Sequence, residues 1–289
     1  MKLKLHLIFL IGLSVSVVAP CQSQKQKSKP EIGIASGFEN DSLLYTNGYR
    51  YLVESVPRLL SPVQVSEQAF RKNVKIVRGL QMKLYAVNIF IPGELKVVGP
   101  DVNEEAVLTY VRSVFSRCRQ AGIAMMVFGS GGARRIPEGF NREKAKQQII
   151  SMAGRISDVA KEFDIIIALE NLNSHETNFI NTVGEALEIV KAVDHPNFRL
   201  CVDIYHMLME GESPEIIGGT KDFIIHCDIA EKEGRAAPGT KGEDFTPYLK
   251  ALSDIGYDDK IIIEARWENI AQQSEAAFVY LQKQIDKVY

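Results

Sequence analysis

Eight short runs of apolar, often β-branched residues recur along the chain, and longer amphipathic stretches separate them. The runs occupy residues 31–35, 51–56, 84–91, 123–128, 165–170, 199–204, 222–227 and 260–265. Strands that are apolar on both faces are typical of a parallel sheet covered by helices. Eight β/α alternations in about 260 residues match the count and size of a (β/α)8 barrel. The sequence therefore predicts the α/β class and a single (β/α)8 TIM barrel.

The stretches between the runs carry helix-start signals. Capping patterns occur at Asn103, at Asn141, at Thr182 with Glu185, and at Ser213 with Pro214. Such residues satisfy the free backbone N–H groups of a first helical turn. A doubly wound open sheet is the alternative architecture, but the chain lacks a glycine-rich phosphate turn after its first strand.

The first thirty residues differ from the rest of the chain. Lys2 and Lys4 precede an apolar stretch from Leu7 to Ala19, and Cys21 follows. This order is typical of an export signal, and it resembles the lipoprotein type, with ordinary secretion as the alternative. We expect an export signal at 1–21, a polar tether at 22–30 and a catalytic barrel at 31–289. The protein would then be periplasmic or a membrane-anchored lipoprotein, touching the membrane only through a lipid on Cys21.

Charge and cysteine usage narrow the range of partners. The 289 residues carry a formal net charge of −2, whereas a nucleic-acid-binding protein usually shows a basic excess. Cys118, Cys201 and Cys227 lie singly in apolar segments, which indicates buried small side chains rather than a zinc or redox pair. We expect a small-molecule substrate and no nucleic acid, with a homo-oligomer left open.

Acidic and imidazole side chains stand at the ends of four consecutive predicted strands. The fifth ends in Glu170, the sixth in Asp203, the seventh in His226 and Asp228, and the eighth in Glu264. Because the carboxyl ends of barrel strands meet at one face, these side chains should share one rim. One such residue would more often be a helix cap or a structural histidine, but four strand ends in succession indicate a site.

Two glutamates, an aspartate and a histidine would bring three negative charges together. Like charges in one site disfavour their own ionised forms, and a divalent cation removes that conflict while leaving open positions for substrate oxygens. The oxygen-rich set suits Mn²⁺, Mg²⁺ or Co²⁺ better than a sulfur-rich zinc site, although Zn²⁺ is also compatible.

Four segments carry a resemblance to the xylose-isomerase-like TIM-barrel superfamily, in particular to its sugar isomerase/epimerase branch, which includes the ketose 3-epimerases. They are "ALENLNSHETNFINT", "CVDIYHM", "HCDIAEKEGRAAPGTKG" and "IIIEARW". The segment "FGSGGARRIPEGF" is also similar to the loop after strand four in those proteins. The resemblance covers the chain from about Glu31 to its C-terminus.

The resemblance implies a role for each matching residue. Glu170, Asp203, His226 and Glu264 would bind the metal, and Glu170 and Glu264 would also form the acid/base pair. The residues implied to contact a small carbohydrate substrate are His206, supported by Glu176, together with Arg235 and, less directly, Glu54. The glycines of the loop after strand seven would let that loop fold over the sugar.

The implied reaction removes a proton next to a carbonyl and returns it to another face or carbon through an enediolate. One alternative is a metal-dependent lyase, dehydratase or hydratase on keto-sugars or 3-keto-glycosides, in which the enediolate expels a neighbouring group. Another is a non-catalytic sugar-binding lipoprotein. The glycines and arginines of "GSGGARR" fit a tight turn with two solvated arginines at least as well as a phosphate cradle.

Overall fold

A computed structural model describes residues 28–289 of the protein. The predicted export signal and residues 22–27 of the predicted tether lie outside the described residues, and both stay predictions. Within residues 28–289, none of the helices combines the length and the apolarity that a membrane span requires.

Eight parallel strands close into a barrel in their sequence order, with the first strand paired to the eighth. They are β1 Glu31–Ala35, β2 Tyr51–Ser55, β3 Lys83–Asn88, β4 Met125–Phe128, β5 Ile166–Glu170, β6 Phe198–Asp203, β7 Ile224–Ile229 and β8 Lys260–Ile263. Each strand overlaps one of the eight apolar runs. The predicted (β/α)8 barrel is therefore confirmed.

Helices follow the strands and cover the outside of the barrel. They are α1 Asp41–Thr46, α2 Val56–Leu59, α3 Glu67–Arg78, α4 Glu104–Ala121, α5 Gly131–Arg134, α6 Arg142–Glu162, α7 Val183–Val193, α8 Ile204–Glu210, α9 Thr246–Ile255 and α10 Ile270–Val288. The side chains of Asn103, Asn141 and Thr182 cap α4, α6 and α7 as predicted. Short 3-10 segments occupy Phe38–Asn40, Pro214–Thr220 and Glu233–Arg235.

The cap predicted at Ser213 is wrong in detail. The Ser213 side chain makes no capping hydrogen bond, and the segment after it is a 3-10 helix rather than an α-helix. Gly218 and Gly219 stand in this short segment, and glycine has a low helix propensity because it loses the most backbone freedom on ordering.

Two apolar clusters divide the core. The larger one contains residues of both strands and helices and lies between them. The smaller one consists of strand residues whose side chains point into the barrel, namely Val53, Ala86, Val127, Ala168, Cys201 and Ile262. Since strand side chains alternate between the two faces, residues two positions beyond these also point inward, and at the carboxyl ends they reach the mouth of the barrel.

The predicted cysteine environment is confirmed. Cys118, Cys201 and Cys227 are buried free thiols within residues 28–289. Burial raises the pKa of the Cys201 and Cys227 thiols well above the ordinary value. These thiols are therefore protonated, as expected of small core residues.

The cap of α4 gives a direct test of the local sequence signal. The Asn103 side chain accepts a hydrogen bond from the Ala106 N–H at 3.0 Å. We expect Asn103→Ala to lower the free energy of unfolding by about 1 kcal/mol, since the freed N–H loses its acceptor. Urea-induced unfolding measures the difference. Asn103→Asp keeps the acceptor and is the control, and equal losses in the two variants would contradict the assignment.

Candidate active site

Four carboxylates meet in the mouth of the barrel. Oxygen atoms of Glu170, Asp203, Asp228 and Glu264 all lie within 4.8 Å of one another. Glu170, Asp203 and Asp228 are buried, and Glu264 is partly exposed. The four side chains belong to β5, β6, β7 and the residue just after β8. The structure thus brings together Glu170, Asp203 and Glu264 as the sequence predicted.

His226 does not join this group, and the geometry corrects its assignment as the fourth cluster residue. β7 extends to Ile229, two residues beyond the predicted end. In the strand register Asp228 pairs with Asp203, whereas His226 pairs with Cys201 one layer deeper. The imidazole Nε2 lies 2.9 Å from Oδ1 of Asp228. His226 therefore contacts Asp228 from below the carboxylate cluster.

Asp203 is held by the neighbouring strand. Its backbone N–H donates to the side-chain oxygen of Asn171, and the Asn171 amide donates to the Asp203 carbonyl. Oδ1 of Asp203 accepts the backbone N–H of His206 and so caps α8. Oδ2 is buried and accepts no hydrogen bond from any residue of the described chain. One carboxylate oxygen is thus fixed, and the other is left to face the cluster.

His206 also reaches the cluster, but its support differs from the prediction. The backbone N–H of Asn173 donates to Nδ1 of His206 at 3.0 Å, so that nitrogen acts as an acceptor. Nε2, which then carries the hydrogen, lies 3.5 Å from Glu170 and 3.4 Å from Asp203. Asn173 therefore orients the ring, whereas Glu176 contacts Arg235.

Arg235 lies across the opening of the cluster. Its Nη2 bonds to the Glu264 carboxylate, and Nη1 lies 3.3 Å from Oε1 of Glu176. The guanidinium packs over the ring of Tyr205 at 4.8 Å from the ring centre. The predicted positions of Glu176 and Arg235 at the site are therefore both found.

The sequence analysis missed two residues at the mouth of the barrel. Asn88, at the end of β3, donates from its amide to Oε1 of Glu264 at 2.7 Å. Gly129, just after β4, lies so close to Glu170 that a Cβ there would overlap the Glu170 carboxylate. Gly129 directly follows the predicted fourth strand, whereas Asn88 lies inside the predicted third strand, 84–91, and neither residue is acidic or imidazole. Asn88 orients Glu264, and Gly129 leaves room for Glu170.

Glu54 lies outside the cluster, which corrects its prediction as a substrate contact. It neighbours Val53 in β2, and Val53 points into the barrel, so Glu54 points away. Its buried carboxylate accepts the backbone N–H groups of Phe38 and Ser55. Burial raises the pKa of Glu54 against these hydrogen bonds. Glu54 holds the loop after β1 instead of facing the cavity.

Two carboxylates of the cluster, Asp203 and Glu264, have raised pKa values. Burial raises the pKa of Asp203 to about 6, although His206 and Arg235 oppose the rise. Burial also raises the pKa of Glu264 well above its ordinary value, against the attraction of Arg235 and with the repulsion of Asp228. Ionised carboxylates in such a site need a cation. The buried Oδ2 of Asp203, which accepts no hydrogen bond from the described chain, and the oxygen donors around it fit a divalent metal ion.

A cavity of about 350 Å³ opens above the cluster. Its acidic and basic lining comes from Glu170, Glu176, Arg235 and Glu264, and its other walls come from the loops after β3 and β4. Arg134 and Arg135 do not line it. Arg134 is fully buried and donates to the carbonyls of Phe128 and Ile180, so it is not the solvated arginine that the sequence indicated.

The loop after β7 is organised by a residue that the sequence analysis did not single out. Glu231 is fully buried, and its carboxylate accepts four backbone N–H groups. The donors are Gly239, Lys241, Gly242 and Glu243, at 2.5 to 3.2 Å. Gly239 and Gly242 adopt positive φ angles of 88° and 85°, which glycine tolerates best. The loop that carries Arg235 is thus folded around one carboxylate.

Comparisons with known proteins agree with the barrel fold. A family model described as "Xylose isomerase-like TIM barrel" matches residues 47–284. A ketose 3-epimerase from Arthrobacter globiformis is 34% identical over 113 residues, covering 39% of each chain. An inosose isomerase from Bacillus subtilis (strain 168) is 31% identical over 134 residues, covering 43% of this chain and 48% of its own. These matches span about half the length of the curated relatives or less.

A solved structure of an L-ribulose 3-epimerase superposes with a TM-score of 0.76 at 18% identity. The superposition covers 90% of this chain and 95% of that chain. At this level of identity the likeness shows the shared fold.

The role of Glu231 can be tested by hydrogen exchange. We expect Glu231→Gln to speed the exchange of the amides between residues 239 and 243 by about tenfold, because hydrogen bonds to a charged acceptor are worth about 1.5–3 kcal/mol. Mass spectrometry of the exchanged peptides measures the change. Glu233→Gln removes an exposed carboxylate from the same loop and is the matched control. Equal exchange in both variants would contradict the assigned role.

Proposed function

The chain belongs to the xylose isomerase-like TIM-barrel family, and from this premise we propose that it is a divalent-metal-dependent sugar isomerase or epimerase. The observation that carries the proposal is the meeting of Glu170 and Glu264 with two further carboxylates at the base of one cavity. Its relatives, a ketose 3-epimerase and an inosose isomerase, support a keto-sugar or related polyol ketone as substrate.

Glu170, Asp203, Asp228 and Glu264 would hold the cation, since their oxygens converge and Asp203 Oδ2 accepts no hydrogen bond from the described chain. When bound, such an ion acts as a Lewis acid towards the substrate carbonyl and the adjacent hydroxyl. Every other step falls to the side chains of the cavity.

Glu170 and Glu264 are the proposed proton-transfer pair. One carboxylate removes the proton from the carbon beside the carbonyl, and the other returns a proton to a different face or carbon. Asn88 and Arg235 each bond one oxygen of Glu264, which limits its rotation. Gly129 gives Glu170 the space to approach the same centre. Positioning of this kind turns general acid/base chemistry into an efficient step.

His206, Arg235 and Glu176 are the proposed substrate-binding residues. His206 directs a ring N–H towards the cluster, and Arg235 supplies a guanidinium beside it. Arg235 is in turn held by Glu176, whose carboxylate lines the cavity. Arg235 and Glu176 thus offer a donor and an acceptor at the cavity wall, which recognition of hydroxyl groups requires.

Proton exchange in D₂O tests the proposal. We expect the protein with Mg²⁺ to incorporate deuterium into a ketose, aldose or 3-keto-glycoside and to form an epimer or isomer, observed by proton NMR. A chelator should abolish the exchange. Glu170→Gln and Glu264→Gln should each lower the rate by about 100-fold or more, since the proton acceptor or donor is lost.

Glu215→Gln, which changes an exposed carboxylate outside the cavity, is the matched control and should retain the rate. Release of water or an aglycone would instead assign the protein to the lyases or dehydratases. Sugar binding without exchange on any substrate of the panel would make it a binding protein.

A further inference from the structure

No imidazole of the described residues belongs to the group formed by Glu170, Asp203, Asp228 and Glu264. The buried Nδ1 of His226 has no hydrogen-bond partner in the described chain, but this ring groups with Cys201 and Asp228. His226 Nε2 is bonded to Asp228 Oδ1 at 2.9 Å. His206 accepts the Asn173 backbone N–H on Nδ1, so its Nε2 carries the hydrogen and offers no lone pair. Each ring near the cluster is therefore a hydrogen-bonding partner of a carboxylate or a backbone amide. The atoms left to face the centre are carboxylate oxygens.

Asp228 supplies the fourth carboxylate of the group, so that all four residues in it offer oxygen donors. Oδ1 accepts from the His226 ring, and Oδ2 accepts from the Cys201 thiol at 3.3 Å. Because a carboxylate oxygen has a second lone pair, both contacts leave Asp228 able to ligate an ion. The two neighbours, His226 and Cys201, hold the carboxylate from below, and its oxygens also lie within 4.8 Å of those of Glu170, Asp203 and Glu264.

The His226 ring is itself fixed. It stacks on Tyr85, with ring centres 5.7 Å apart and an angle of 13° between the planes. A fixed ring beside a carboxylate restricts the rotation of that carboxylate, as outer partners of metal ligands commonly do. His226 is then a positioning residue that acts on the cation through Asp228.

We propose that Asp228 ligates the cation directly, with His226 as its positioning partner, and that the resulting all-carboxylate site takes a hard divalent ion such as Mg²⁺. This inference rests on the metal role assigned under the proposed function. Carboxylate oxygen suits Mg²⁺ and Mn²⁺, whereas imidazole suits Zn²⁺. Four carboxylates also exceed the charge of a divalent ion, and Arg235 beside Glu264 and Asp203 supplies a further positive charge.

Pulsed EPR of the Mn²⁺-loaded protein tests the donor set without any substitution. We expect no coupling from a directly coordinated nitrogen in the unaltered protein and the appearance of such a coupling in Asp228→His. An imidazole coupling in the unaltered protein would overturn the proposal. Because this measurement uses the intact chain, it remains decisive even if a variant fails to fold.

Affinities for Mg²⁺ and Zn²⁺, measured by calorimetry without sugar, test the preference. Asp228→His should weaken Mg²⁺ binding about tenfold or more and leave Zn²⁺ binding equal or tighter, because a charged oxygen is exchanged for an imidazole. His226→Asn should weaken both ions, by about 10- to 100-fold, with their ratio nearly unchanged. Thermal unfolding of each variant verifies that it is folded.

Three outcomes would count against the inference. Unchanged affinities in Asp228→His would remove Asp228 from the ligands. A ratio altered by His226→Asn as strongly as by Asp228→His would make His226 the ligand. Zn²⁺ binding that is lost in Cys201→Ser would place the soft-metal site at Cys201, His226 and Asp228, whose donor atoms also lie within 4.8 Å.

The inference and the proposed function fail separately. Mg²⁺ binding with the expected variant pattern but no proton exchange on any sugar would leave the inference standing and remove the isomerase. Chelator-sensitive exchange in a protein whose Mn²⁺ shows an imidazole coupling would remove the inference and leave the metal-dependent isomerase.

Discussion

The confinement of four carboxylates in the mouth of the barrel is the constraint on which the rest of the site depends. Burial disfavours the charged form of each carboxylate and the neighbouring carboxylates add repulsion, so the pKa values of Asp203 and Glu264 are raised. The surrounding donors each compensate part of it. Asn88 and Arg235 bond Glu264, His226 and Cys201 bond Asp228, and the backbone N–H of His206 donates to Asp203. The hydrogen bonds and ion pairs at the mouth of the barrel thus compensate the electrostatic cost of confining the four carboxylates.

Much of this arrangement could be predicted from the sequence, because two simple periodicities determine it. Strands apolar on both faces required a covered parallel sheet, and eight of them required closure. Alternation along each strand then fixed which residues point inward, since Ala168, Cys201 and Ile262 lie two positions before Glu170, Asp203 and Glu264. Three of the four carboxylates therefore coincide with the prediction, although β3 ends three residues earlier and β7 two residues later than the predicted runs.

The level of each side chain in the barrel could not be predicted in the same way, because it depends on the register in which neighbouring strands pair. His226 and Asp228 share one face of β7, so alternation cannot choose between them. Only the register, which pairs Asp228 with Asp203, puts the aspartate at the level of the cluster. The loop after β5 was likewise not predictable in detail. The prediction paired Glu176 with His206, whereas in the structure Asn173 bonds His206 and Glu176 bonds Arg235.

The two halves of the barrel contribute different parts of the site. The strands β5 to β8 supply the carboxylates, whereas the loops after β3 and β4 shape the cavity wall with Ile89, Gly93 and Gly129–Gly132. Ile89 adopts a φ of 53°, which is strained for a β-branched residue and costs about 1–3 kcal/mol at such sites. Its side chain is 56% exposed beside the cavity, so burial of the side chain does not repay that cost.

Strain retained at a cavity wall is more readily explained by the shape of that wall than by stability. Because the charged half is fixed by strand register and the other half by loop conformation, the substrate preference can change in the loops without disturbing the carboxylates. TIM barrels vary their chemistry through such loops on a common strand frame. Under the proposed function, the loops after β3 and β4 would therefore set the shape of the wall that a substrate meets.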